Sequence, residues 1–278
     1  MDSKQSPVTI PALQQMKRDG RKIAGVVAWD CQIAQIVDRI GVEIVSVGDS
    51  VGVNLWGRAN PLEVTLSEML VVCKAVRRAV KRALVSCDFP FGPLQEGADS
   101  AVKAAILLTR EGGADMVKLD GAADFPNAVR AIAREGIPVF AQFGITPQTA
   151  PRDADGGGSE DGGQAPAAMI AKRVEEAKRL EEAGASLLDF THSGPLAGAA
   201  VAAAVSIPVL GGLGGGPWLD GRMRMAHAAI GYAASNLDAH AENYANVAKI
   251  TFDAISAYVE DVRAARQIKG GTPVKLAK

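Results

Sequence analysis

Short β-branched and apolar runs alternate with longer stretches patterned for helices along nearly the whole chain, and this alternation restricts the architecture more than any other feature. The first run is residues 23–30 (IAGVVAWD), and a helical segment at 31–40 follows, with Asp30 placed to cap it. The pairing recurs as 44–50 (IVSVGDS) before 66–82, and as 84–90 (LVSCDFP) before 98–112. Residues 116–121 (MVKLDG), 138–144 (PVFAQFG), 187–192 (LLDFTH) and 208–214 (PVLGGLG) read as four more strands. Helical segments ending near glycine precede them, as in EEAGASLL and REGIPVF. The runs are apolar on both faces, which suits a buried parallel sheet. Residues 230–235 are the candidate eighth strand and 245–265 a closing helix. The pattern predicts an α/β chain folded as a closed (β/α)8 TIM barrel with a C-terminal helical extension, not an open doubly wound sheet. No shift in composition marks a second domain, so residues 1–278 read as one barrel domain.

Composition excludes several classes. Thirty Lys+Arg against 31 Asp+Glu leave a net charge of −1, with no electrostatic ground for nucleic acid or an anionic membrane as partner. Cys31, Cys73 and Cys87 are odd in number and far apart, so neither a zinc knuckle nor a disulfide framework is visible and a cytoplasmic setting is expected. The first twenty residues lack the apolar core of a signal peptide, and no run reaches membrane-spanning length. Residues 150–166 (APRDADGGGSEDGGQAP) break the repeat and read as either a flexible surface loop or an active-site lid. Asp153 and Asp155 hint at a calcium loop, but glycine and glutamine at the later ligand positions fail that pattern. The basic tail, 267–278, reads as disordered.

In a parallel barrel the loops after the strands form the catalytic face. Asp49, Asp88, Asp120, Gln142 and His192 all fall at strand C-terminal ends. One such aspartate is readily explained as a helix cap, as for Asp30; three from separate strands converging on one mouth are not. Crowded carboxylates repel unless a cation or shared protons compensate, and Mg2+ needs only one or two of them plus substrate and water. A metal held that way accepts a 2-oxo acid through its carboxylate and keto oxygens and stabilises an enolate. Lys118, two residues before Asp120, shares its face of the strand and is placed to pair with the substrate carboxylate. The glycine run GGLGGG at 211–216 does not match a dinucleotide fingerprint. His227 and His240 read as structural, and Cys31 and Cys87 as buried small hydrophobes.

Five stretches carry a family resemblance: VGDSVG at 47–52, CDFPFG at 87–92, MVKLDG at 116–121, FGITPQ at 143–148 and DGRMRMAH at 220–227. From about residue 9 to about residue 227 the chain resembles the ketopantoate hydroxymethyltransferase family, within the phosphoenolpyruvate mutase and isocitrate lyase superfamily. The resemblance implies a Mg2+-dependent barrel that adds a hydroxymethyl group from 5,10-methylenetetrahydrofolate to the branched 2-oxo acid 3-methyl-2-oxobutanoate. It implies that Asp49 and Asp88 hold the metal, that Ser50 helps seat the substrate and that Lys118 binds its carboxylate. Asp120 stands where the family has a metal-associated glutamate. A homo-oligomer, with a decamer as one form, is implied as well.

Two positions depart from the family pattern. Its general base is a glutamate ending the sixth strand, where this chain has Thr191, and Gln142 replaces a usual histidine. His192, adjacent and able to titrate near neutrality, is the expected replacement base. Asp189 shares the inward parity of Thr191 but lies about 7 Å deeper, and reads as structural. Three activities remain open: the family's transfer reaction, another C–C bond-forming or lyase reaction on a related 2-oxo acid, and a non-catalytic binding or assembly barrel.

Overall fold

The computed structural model describes residues 6–145, 148, 167–238 and 242–270. The 150–166 segment, His240 and the tail beyond residue 270 lie outside the described residues. The chain divides into two compact units, one ending at Met225 and the other beginning at Ala226.

In the first unit, helix α1 (Ile10–Arg18) precedes β1 (Ile23–Val27), α2 (Cys31–Ile40), β2 (Ile44–Val47), the short α3 (Val51–Asn54) and α4 (Leu66–Ala79). Then come β3 (Leu84–Asp88), α5 (Phe91–Gln95), α6 (Ala98–Arg110), β4 (Met116–Leu119), α7 (Pro126–Arg134) and β5 (Val139–Gly144). Helix α8 (Ala167–Glu182), β6 (Leu187–Thr191), α9 (Pro195–Ala204), β7 (Val209–Gly211) and β8 (Gly221–Met225) complete it. All eight strands are parallel and close into a barrel, with β1 pairing β8 in the register Ile23↔Gly221. The (β/α)8 expectation therefore holds.

The eighth strand is not where the apolar pattern put it. Residues 230–235 are turn and 3-10 structure, and Gly221–Met225 (GRMRM) closes the barrel instead. Its exposed arginines alternate with buried Gly221 and Met223, so the strand lacks the two-sided apolar signature of the others. Gly221 is required there, because a Cβ would lie 2.2 Å from the backbone oxygen of Ile23.

Local signals set the helix starts. Asp30 caps α2, its Oδ1 accepting from the backbone N–H of Gln32 at 2.8 Å and of Ile33 at 2.9 Å. Thr65 and Glu68 form a reciprocal capping box at α4. Cys31 is the first residue of α2 and is exposed, whereas Cys87 is buried as expected; all three thiols are free.

Inside the barrel, side chains lie in layers along the strand period of two. Ile23, Ile44, Leu84, Met116, Phe140, Leu187, Leu210 and Met223 form an apolar floor with Leu13 and Met16 of α1. The next inward positions turn polar: Ser46, Ser86, Lys118, Gln142 and Asp189. The outward-facing strand residues pack under the helices in a separate, larger apolar cluster. That division gives a rigid shell and a polar mouth in one stack.

The unit from Ala226 contains α10 (Ala226–Ala229), a 3-10 turn (Ala234–Leu237) and the long α11 (Val247–Arg263). Backbone N–H groups of Val247 and Ala248 donate to Ile230 and Gly231 carbonyls at 3.0 Å, tying the start of α11 to the end of α10. His227 is buried and packs edge-on against Tyr232, in keeping with a structural role. Among the described residues, no helix is long and apolar enough to cross a membrane.

Candidate active site

The strand ends of the first unit surround a cavity of about 270 Å³. Asp49 and Ser50 reach it from the end of β2, Asp88 from β3, Lys118 and Asp120 from β4, Gln142 from β5, and Asp189 and Thr191 from β6. Six of the expected site residues, Asp49, Ser50, Asp88, Lys118, Asp120 and Gln142, thus line one space, although they come from four strands. His192 does not line it. That residue lies one position past β6 with φ of 54°, and its backbone N–H donates to the Leu213 carbonyl at 2.5 Å. The turn it makes carries its side chain out of the inward set to which Thr191 and Asp189 belong.

Lys118 is the hub. Its Nζ lies 3.2 Å from Asp189 Oδ2 and 3.7 Å from Asp88 Oδ2, and it donates to the Gln142 side-chain oxygen. Burial works against its charge, but Asp88, Asp189, Asp120 and Asp49 outweigh that and hold the ammonium well above its ordinary range. It therefore stays a cation at every physiological pH. Gln142 is explained by this contact: a neutral amide oxygen accepts from the ammonium where a protonated imidazole would repel it.

The carboxylates opposite are strained electrostatically. Burial and the neighbouring Asp88 push Asp49 up from 3.8 to about 7, against the opposing pull of the Gln148 amide and Lys118. Burial likewise raises Asp88, with Lys118 working in the other direction. Both groups are oxygen donors; Asp49 is buried and accepts from the neutral Gln148 amide, while half-buried Asp88 has Lys118 at 3.7 Å.

Gln148 was not singled out in the sequence, yet it ties this side together. Its backbone N–H donates to Asp120 Oδ2 at 2.8 Å, and its Nε2 donates to Asp49 Oδ2 at 2.7 Å and to the Phe89 carbonyl at 3.0 Å. Its place at the end of the FGITPQ stretch, one turn beyond a barrel strand, was the available signal. From strand rise alone, Asp189 reads as too deep for the site. The cavity reaches it nonetheless, since its neighbour on the wall, Gly212, has no side chain.

Among the described residues no three His, Cys, Asp or Glu side chains converge closely enough to hold a metal together. The Asp49–Asp88 pair remains a fitting donor set for a hard cation that takes one or two carboxylates and completes its shell with other oxygens. Asp120 is bound to Gln148 and supports that pair from the side.

The chain is similar to known proteins over nearly its whole length. The family model for ketopantoate hydroxymethyltransferase matches residues 7–267. A 3-methyl-2-oxobutanoate hydroxymethyltransferase from Cyanothece sp. is 38% identical over 259 residues, covering 92% of this chain and 96% of the relative. One from Thermoanaerobacter sp. is 34% identical, covering 95% and 93%. Among solved structures, oxaloacetate acetylhydrolase in complex with 3,3-difluorooxalacetate superposes with a TM-score of 0.59 at 12% identity, covering 98% of this chain and 93% of that one. The 2,3-dimethylmalate lyase of the PEP mutase/isocitrate lyase superfamily gives 0.58 at 13% identity, with the same coverage. At such identities the structures speak for the fold alone. The sequence relatives and the family model go further: the chain belongs to the ketopantoate hydroxymethyltransferase family.

Proposed function

We propose that this chain transfers a hydroxymethyl group to 3-methyl-2-oxobutanoate, with Mg2+ as the metal and 5,10-methylenetetrahydrofolate as the one-carbon donor. The observation that carries the reading is that one cavity brings together the Lys118 cation and the carboxylates of Asp49 and Asp88, both pushed up by burial, with Asp88 within ion-pair reach of the lysine. Asp49 and Asp88 would hold the metal, with Asp120 and Gln148 fixing the position of Asp49. When bound, Mg2+ supplies a Lewis acid that polarises the keto group and stabilises an enolate. Lys118 would receive the substrate carboxylate, and Ser50 would help seat it. Val27, Val53, Leu213 and Met225 supply an apolar wall suited to a branched aliphatic end.

The three free cysteines support a reducing cytoplasm. Exposed Ile250, Phe252, Ile255 and Tyr258 along α11 support assembly into a homo-oligomer, whose size light scattering measures. The decisive experiment for the activity follows C3–H exchange of 3-methyl-2-oxobutanoate in D2O by NMR, with Mg2+ and then with EDTA. A second vessel contains 5,10-methylenetetrahydrofolate and is read for the hydroxymethylated product. Metal-dependent exchange with product supports the full reading. Exchange without product points to another C–C bond reaction on a related oxo acid, and absence of both points to a non-catalytic barrel.

A further inference from the structure

We propose that Asp189 is the base that removes the proton from the carbon beside the substrate's carbonyl. The inference rests on the oxo acid reading above and deepens it. The lining of the cavity holds four carboxylates. Asp49 and Asp120, past the ends of β2 and β4, are held by Gln148, and Asp88, at the end of β3, is the second carboxylate assigned above to the metal. Asp189, on β6, faces them from across the barrel mouth.

Its two oxygens have different work. Oδ1 accepts from the backbone N–H of Gly212 at 2.7 Å, which anchors the carboxylate to the end of β7. Oδ2 lies 3.2 Å from Lys118 Nζ. A Cβ on Gly212 would sit 2.7 Å from that same Oδ2, so the glycine leaves room for the carboxylate in this orientation. Lys118 therefore stands between the cation side, through Asp88, and Asp189. A substrate whose carboxylate reaches Lys118 brings its neighbouring carbons alongside Oδ2. Leu213 and Met223 border that end of the cavity and accommodate the branched carbon.

The rivals are occupied or misplaced. The Thr191 hydroxyl donates to the Phe143 carbonyl at 3.0 Å and to the Ile145 carbonyl at 2.5 Å. His192 does not line the cavity. In the step itself the C–H bond breaks and an O–H bond forms at Asp189 Oδ2. The released electron pair becomes the C–C double bond of the enolate, and the keto oxygen takes the negative charge. In the reverse of this step the enolate double bond takes a proton, or in D2O a deuteron, from Oδ2, so the C–H bond and the keto group re-form and Asp189 exchanges its proton with solvent.

The test uses the full-length protein with 3-methyl-2-oxobutanoate and Mg2+ in D2O. Asp189→Asn should slow C3–H exchange by about 10²–10⁴-fold, the usual contribution of a general base, while Mn2+ affinity by EPR and oxo acid affinity change little. Formate should restore exchange to Asp189→Ala, a rescue that a merely structural role would not show. His192→Ala should exchange at the wild-type rate. Gly212→Ala, which keeps the carboxylate but pushes it aside, should slow exchange at least about tenfold and serves if the Asp189 variants fail to fold. Wild-type exchange in Asp189→Asn or Gly212→Ala, or its loss in His192→Ala, would overturn the assignment. A wild-type protein that does not exchange removes the oxo acid reading first, and is distinguished by failing before any variant is made.

Discussion

Asp49→Asn should make the metal-free protein more stable, and the gain should depend on pH. In the folded chain the Asp49 carboxyl is pushed from 3.8 to about 7, so between those values the folded state holds a proton that the unfolded state has already released. Stability is then fully present below about pH 4 and is lost as pH rises toward 7. Keeping the group ionised above pH 7 costs roughly 4 kcal/mol, taking 1.36 kcal/mol for each tenfold step in proton affinity. Asparagine removes that cost while its side-chain oxygen still accepts from Gln148 Nε2, now 2.7 Å from Asp49 Oδ2. Relaxation of the mouth returns part of the gain. Even half of it raises the unfolding midpoint by on the order of 4–8 °C for a chain of this size. The assay is thermal unfolding in EDTA from pH 4 to pH 8.5, wild type against variant, with Mn2+ binding recorded alongside. The midpoints should coincide near pH 4, diverge up to about pH 7 and run parallel beyond it, while metal affinity collapses. A variant no more stable than wild type at pH 8, or stabilised equally at both ends, would refute the electrostatic account of this pair.

Lys118→Met should act in the opposite sense, because it leaves Asp88 and Asp189 buried without their shared cation; urea unfolding at pH 8 should show a loss of about 3–5 kcal/mol. Gly221→Ala should destabilise by about 1–3 kcal/mol or more, since its Cβ would meet the Ile23 carbonyl and backbone cannot swing aside; the urea midpoint checks this. Native protein treated with a thiol-reactive chromophore should show one reactive cysteine, Cys31, and three after denaturation; two fast thiols in the native state would contradict the burial of Cys73 and Cys87.

Much of the fold was legible because strands such as β2 and β6 are buried on both faces and say so in the runs IVSV and LLDF. The eighth strand lacks that mark for a physical reason: alternate positions of β8 are exposed and carry arginines, so the apolar run of its neighbours is absent. Parity along the strands carried the metal-side residues, as Lys118 and Asp120 share one face. Parity also contains Asp189, but strand rise alone puts it about 7 Å below Thr191. What opens the barrel down to that level is a glycine just past the end of β7, and a neighbour's missing side chain has no signature at position 189. Gln148 acts through its backbone N–H as much as through its amide, and main-chain hydrogen bonding leaves little trace in residue type.

The pairing of β1 with β8 sets a schedule as well as a shape. Ile23 meets Gly221, so the first strand to leave the ribosome waits for nearly two hundred residues before its second edge is covered. At roughly 5–20 residues per second, that is on the order of 10–40 s with an open row of backbone donors and acceptors. The apolar floor shares the delay, since Met223 is one of its members and Leu13 and Met16 have no complete surface to rest on before then. The nascent chain therefore carries an uncovered strand edge during most of its synthesis, and a product cut short anywhere before residue 221 is an unclosed sheet seeking a partner.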